Sequence, residues 1–293
     1  MNNRIGLHYT GFLKDWQNEP AEYIVRAARL GFDSIAINAV DFAQLSDAEA
    51  ADLKKLAEDC RIDLTYSLNL GPDRNISSSD EQIRQQGQDF VISLLKKISA
   101  VDGRLVSGIT YGAVPDYPEN AFRNRPRAVE NSVRSLQSIL KVAEDCGITY
   151  CIEPLVRFEN FMLNTAAQAV EICDAVSSPN IGILLDTFHM NMEERNITQA
   201  IKQAGRYLKQ MHLAENYRGP LGSGGLFDWD ELFAALKRID FSGELVLEHF
   251  CIPGGDIGQD VRVTRDLIED TTDEGVDQAL IKSIAFLKQK LRQ

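Results

Sequence analysis

Four apolar runs in this chain each end in side chains that bind metals or move protons. The most crowded is Ile183–Glu194, I-L-L-D-T-F-H-M-N-M-E-E, with Asp186, His189, Glu193 and Glu194 close together. A short apolar run bounded by polar residues reads as a strand buried on both faces. Asp186 then sits where the strand emerges and His189 on the following turn; taken alone, the stretch equally suits an acidic helix cap after a core strand. Three further runs repeat the arrangement: C-I-E-P-L with Glu153, Q-M-H-L-A-E with His212 and Glu215, and V-L-E-H-F with Glu248 followed by His249.

An ionised carboxylate buried without a partner costs roughly several kcal/mol. Three of them at one level repel each other, so the pattern calls for a compensating cation. One imidazole with three carboxylates is a hard, oxygen-rich set that suits manganese, magnesium or cobalt better than a thiolate-type zinc site. Glu153, Asp186, His212 and Glu248 are therefore the expected ligands, although any one of them alone would more often be a structural hydrogen-bonder. His8 reads as a pocket-wall or core histidine in preference to a ligand, and strand alternation turns His249 away from Glu248, toward the helix layer. Glu193 and Glu194 fall to a solvated turn. Glu159, His189 and Arg218 would form a polar rim able to orient the hydroxyls of one small substrate, whereas Arg157 has a plain surface reading.

These residues need strands to carry them, and the chain alternates strand and helix patterns about eight times. The strands are read at Arg4–Tyr9, Ser34–Ala39, Leu64–Leu70, Leu105–Tyr111, Tyr150–Leu155, the run ending at Asp186, Leu208–Ala214 and Glu244–Phe250. Helical spacing covers Ala21–Leu30, Ile83–Ile98, Ala128–Cys146, Ala166–Val176, Ile197–Ala204, Trp229–Ile239 and Val276–Leu291. Ser46 with Glu49 three residues on forms a capping box for one more. Strand–helix alternation implies parallel pairing, and eight units fit a single (β/α)8 barrel over residues 1–293, with the active site at the C-terminal ends of the strands. The long connections, 71–80, 112–127, 215–227 and 251–275, all follow strands, and long loops in a compact fold tend to be functional.

Composition narrows the partners. With 31 Lys and Arg against 43 Asp and Glu, the net charge is −12 and the basic residues are scattered. Nucleic acid and anionic membrane surfaces are not expected partners. No secretory h-region and no apolar segment of bilayer length is visible. The five cysteines are widely spaced without a C-x-x-C, which suits reduced thiols in the cytoplasm.

The strings C-I-E-P-L-V-R-F-E-N-F, L-L-D-T-F-H-M-N-M-E-E and H-L-A-E-N-Y-R-G closely resemble the ketose 3-epimerases (D-tagatose and D-psicose 3-epimerases) of the xylose isomerase-like barrels. Gly71-Pro72 before N-I-S-S-S-D, and G-G-D-I-G-Q-D-V-R-V-T-R-D-L near the end, resemble that family too. The resemblance implies Glu153, Asp186, His212 and Glu248 as metal ligands, with manganese most usual. It implies Glu153 and Glu248 as the acid/base pair, and Glu159, His189 and Arg218 at the carbonyl end of a ketose. It also implies a homodimer or homotetramer. The chemistry is inversion at carbon 3, beside the ketone, through an enediolate with one carboxyl group on each face. Three positions depart from the family: Val156 replaces Asn, His249 replaces Pro, and His8 replaces Tyr. His8 with Phe12, Trp16, Asn38, Ser67 and Thr110 would line the half of the pocket facing carbons 4 to 6. The alternative is an isomerase, epimerase or dehydratase of the same superfamily acting on a keto-inositol or a 3-keto glycoside.

Overall fold

The computed structural model describes residues 1, 3–16 and 18–292. Eight parallel strands close into a barrel in the order of the chain: β1 Ile5–His8, β2 Ser34–Asn38, β3 Asp63–Ser67, β4 Leu105–Ser107, β5 Thr149–Ile152, β6 Ile181–Asp186, β7 Leu208–Leu213 and β8 Glu244–Leu247. β8 pairs with β1 through Ile5–Leu245 and Leu7–Leu247, which completes the ring. Around it lie α1 Pro20–Leu30, α2 Ala39–Gln44, α3 Asp47–Cys60, α4 Glu81–Ala100, α5 Ala121–Cys146, α6 Ala166–Val176, α7 Thr187–Glu193, α8 Ile197–Ala204, α9 Trp229–Arg238, α10 Gly255–Asp260 and α11 Asp273–Arg292. This is the expected (β/α)8 architecture. No described helix is long and apolar enough to cross a membrane.

Strands covered by helices on one face and by the barrel interior on the other must be apolar on both. All six residues of β6 are buried, which is why the sequence shows a continuous run there instead of an alternation. The helices are punctuated by ordinary chain chemistry. Gly31 and Gly147 follow α1 and α5 in the left-handed region, with φ of 88° and 64°, where glycine carries no Cβ penalty. Ser46 and Glu49 form the reciprocal capping box that starts α3. Ser46→Ala should lower stability by about 1 kcal/mol, read from urea unfolding, because the Glu49 amide loses its acceptor and the Glu49 carboxylate keeps only the backbone donor of residue 46.

Two differences from the sequence reading concern boundaries. The strands are shorter than their apolar runs. β4 ends at Ser107 because Gly108, at φ 120°, turns the chain, and Leu105–Tyr111 therefore pairs only over its first part. α5 begins at Ala121, earlier than Ala128, and carries Pro126 inside it. Pro126 cannot donate to the carbonyl four residues back, at Phe122, but that position is 91% exposed, where water can satisfy it.

A polar layer at the opposite, N-terminal end of the barrel shows what a purely structural carboxylate looks like here. Glu244 accepts from Ser34 Oγ and from Gln210 Nε2 (2.7 Å).

Candidate metal centre and active site

Short strands place the four candidate ligands at one level. Asp186 is the last residue of β6 and pairs in register with His212 of β7. Glu153 and Glu248 are the first residues past β5 and β8. Each of the four offers one donor atom, and those atoms lie within 4.8 Å of one another, all on buried side chains. The barrel thus brings together, at the C-terminal ends of four consecutive strands, the set expected to bind a metal.

Asp186 is the helix cap that one of its sequence readings expects, and its other oxygen lies in the candidate ligand cluster. Its Oδ1 accepts from Phe188 N (2.8 Å) and caps α7, while Oδ2 accepts from Arg218 Nη1 (2.5 Å). Glu248 Oε2 accepts from the same Nη1 (2.9 Å) and contacts His212 Nδ1 at 3.0 Å. His212 Nε2 is buried with no hydrogen-bond partner among the described residues. A buried, unpartnered imidazole nitrogen among three crowded carboxylates is a donor set that fits a divalent cation, and its oxygen-rich character fits manganese, cobalt or magnesium.

The electrostatics separate the two glutamates. Burial, with Glu248 and Asp186 adding to it, holds the Glu153 carboxyl well above the usual carboxylate range despite His212 and Arg218. Burial acts on Glu248 as well, but His212, Arg218 and His8 outweigh it and hold that carboxyl well below the range. His212 is pushed up to about 9, because Glu248, Glu153 and Asp186 overcome the burial that disfavours its charge. Burial also raises Glu159, although Arg218 opposes the shift.

Arg218 and His189 form the second part of the site. Arg218 is a non-glycine residue in the left-handed region, at φ 64°. Such a conformation costs of order 1–3 kcal/mol and persists only where surroundings over-determine it. Its guanidinium lies between the rings of Phe188 and Phe250, 4.2 and 5.0 Å from their centroids. His189 Nδ1 accepts from Val156 N (3.1 Å), so in the neutral ring the proton sits on Nε2. Burial pushes this histidine down to about 4, which keeps it neutral. The 3.2 Å approach of Arg218 Nη2 to Nε2 therefore sets two N–H donors side by side. Carboxylate oxygens of Asp186 and Glu153 stand 3.7 and 3.9 Å from Nε2.

His8 and His249 lie as their sequence readings place them, whereas Thr110, Asn38 and Phe12 do not. His8 has both ring nitrogens engaged, Nδ1 with Thr10 Oγ1 (2.7 Å) and Nε2 with Ser67 Oγ (2.9 Å), and lies 3.5 Å from Glu248 Oε1. Its polar atoms are taken by protein partners, as befits a pocket-wall histidine. His249 is fully buried with neither nitrogen bonded, and its Nε2 faces Gly11 beside Leu7, away from the ligand cluster. Thr110 donates to the Cys151 carbonyl (2.8 Å), Asn38 caps α2, and Phe12 lies under the Arg26 guanidinium. Those three side chains serve the scaffold.

Glu193 and Glu194 are not solvated. Glu193 accepts from Arg157 N, Nε and Nη2, and Glu194 accepts from Ala166 N (2.7 Å), so the pair fastens the β5–α6 connection to α7. Phe188 and Phe250, the aromatic partners of Arg218, are not among the residues the sequence reading singles out. The sequence carries a signal for them: each lies two residues after a candidate ligand, Asp186 and Glu248, just beyond the ends of β6 and β8, the two neighbours of β7.

A family model described as "Xylose isomerase-like TIM barrel" matches residues 24–267. D-psicose 3-epimerase of Ruminiclostridium cellulolyticum is 35% identical over 96% of this chain and 95% of its own length. The Agrobacterium fabrum protein of the same name is also 35% identical, over 96% of each chain. The solved structure of the D-psicose 3-epimerase of Clostridium cellulolyticum H10 with D-tagatose superposes at a TM-score of 0.94, with 33% identity over 98% of this chain and 99% of that one. With that likeness running almost end to end, the chain belongs to the ketose 3-epimerases of the xylose isomerase-like TIM barrel family and is an isomerase.

Proposed function

We propose that the protein epimerises a free ketose at carbon 3, using Glu153 and Glu248 as its two acid/base groups and a divalent metal, manganese in the first instance, held by Glu153, Asp186, His212 and Glu248. One observation carries this reading: the two glutamates extend from β5 and β8, separated by two strands, and converge on one cluster. A carbon placed between them is reached by one carboxyl group from each side.

Inversion requires a base on one face and an acid on the other at the same moment. In the metal-free protein His212 and Arg218 hold Glu248 ionised while burial and like charge drive Glu153 toward its neutral form, and we assign Glu248 as the base and Glu153 as the acid of one direction on that asymmetry. Removing the carbon 3 proton transfers it to a Glu248 oxygen, and delivery from a Glu153 oxygen to the other face completes the inversion. The reverse reaction exchanges the roles. The divalent ion, when bound, supplies positive charge that offsets the negative charge developing on the substrate oxygens. The adjacent N–H donors of His189 Nε2 and Arg218 Nη2 present a site for one sugar oxygen, and Glu159 beside Arg218 would accept from a hydroxyl.

The scattered basic residues, with no Gly-rich anion cradle evident in the sequence, favour an unphosphorylated sugar. The test is incubation of the manganese-loaded protein with a panel of ketoses in deuterated water. Deuterium at carbon 3 with inverted product is the expected result. Label at carbon 1, loss of water, or turnover only of a keto-inositol or a 3-keto glycoside would replace this reading with another of the superfamily. We further assign a homodimer or homotetramer, to be checked by sedimentation.

A further inference from the structure

Glu215 is a buried carboxylate that the proposed chemistry does not use. It follows β7 by two residues and is fully buried. Its Oε1 accepts from Gly222 N (2.8 Å) and from Trp229 Nε1 (3.1 Å). Its Oε2 has no hydrogen-bond partner, and no lysine or arginine pairs with the group among the described residues. Instead Oε2 lies against Gly225, where an added Cβ would come within 2.4 Å of it. A buried carboxyl group with one oxygen unpartnered costs more than an apolar side chain would, so the hydrogen bonds it does make point to a role in its surroundings.

What it serves is the loop that carries Arg218. Glu215 N donates to the Gly219 carbonyl (3.0 Å) and Arg218 N donates to the Glu215 carbonyl (2.9 Å), so the left-handed turn at Arg218 is built on Glu215. Phe250 N donates to the Arg218 carbonyl (3.1 Å), which ties the near side of the turn to the end of β8. The far side of the loop has the Glu215 carboxylate, which joins Gly222 to Trp229 at the start of α9.

We propose that Glu215 is a positioning residue for Arg218: its buried carboxylate fastens the glycine-rich loop so that the strained turn delivers the guanidinium between Asp186 and Glu248. This rests on the reading that those two carboxylates bind a divalent metal and that Arg218 faces the substrate. Arg218 acts on the metal as a fixed like charge beside two of its ligands, so its placement can be read without any sugar.

The test is a double-mutant cycle on Mn2+ affinity, measured by titration calorimetry on the full chain. Arg218→Ala should tighten Mn2+ binding about tenfold, and Glu215→Ala at least about threefold by releasing the guanidinium, with no further gain when the two are combined. Gly225→Ala, whose methyl displaces Oε2, should match Glu215→Ala, and Glu215→Gln, which keeps the Oε1 acceptor, should stay within about twofold of wild type. With a turned-over ketose, Glu215→Ala should raise KM more than it lowers kcat, in parallel with Arg218→Ala. Additive effects, an unchanged Mn2+ affinity in Glu215→Ala, or failure of the glutamine variant to rescue would overturn the proposal. A wild type that binds Mn2+ but turns over no ketose sinks the epimerase reading alone. If it binds no Mn2+, the metal reading falls, and the same cycle in urea unfolding judges Glu215: non-additive losses sustain the proposal and additive ones overturn it.

Discussion

Glu153→Gln and Glu248→Gln should each lower kcat by about 10³-fold or more, since each removes a proton-transfer group and leaves its partner nothing to work against. The two variants should differ in stability. Glu153 is already driven toward its neutral form, so a neutral amide of the same shape should change the metal-free protein by no more than about 0.5 kcal/mol. Glu248 is held ionised by His212 and Arg218, and Oε2 is the acceptor both of them face. Its replacement leaves a buried guanidinium with Asp186 alone and removes the anion that most raises His212, so a loss of about 1–3 kcal/mol is expected. Kinetics at saturating ketose and urea unfolding of the metal-free proteins give both numbers. Equal stability losses in the two variants would show that the carboxyl groups are not divided into acid and base as assigned, and near-normal turnover in either would remove it from the reaction.

Chelation should abolish turnover, and Mn2+ or Co2+ should restore it. Three carboxyl groups crowd around one imidazole with donor atoms within 4.8 Å of one another, and Arg218 meets only two of the three, so a divalent cation would offset negative charge that the protein leaves uncompensated. An ion bound by the folded protein and not by the unfolded chain stabilises the fold, so saturation should also raise stability, by about 2.7 kcal/mol at a hundredfold excess over Kd. His212→Ala and Asp186→Ala should lose the metal-dependent stabilisation along with activity. A melting temperature that does not respond to Mn2+ in the wild type would show that the four side chains do not form a metal site. A response retained in full by both variants would place the ion elsewhere.

The architecture was legible because both parts of each repeat leave a strong trace. A strand buried on two faces must be apolar along its length, as β6 is up to Asp186, and a surface helix must show a polar face and a cap, as α3 does with Ser46 and Glu49. The four candidate ligands were legible for the same reason. A carboxylate or imidazole inside a run that is otherwise apolar stands out, and in a parallel barrel the end of every strand lies on the same side. Partner residues were less so. Nothing local distinguishes Thr110, which bonds to a strand backbone, from a hydroxyl that faces a pocket. Glu193 and Glu194 look like solvated acids until the loop carrying Arg157 and the start of α6 are folded against them.

By itself the sequence determined the barrel, the strand-end level of Glu153, Asp186, His212 and Glu248, and the family the chain belongs to. Only the tertiary structure decided how those groups differ. Glu153 and Glu248 are the same residue type at the same offset from their strands, yet one is pushed up and the other held down. The physical reason is distance in space. His212 and Arg218 bond directly to Glu248, Arg218 reaching it through a left-handed turn built on Glu215. Charges couple by separation and burial, and neither quantity is written in the spacing of residues along the chain.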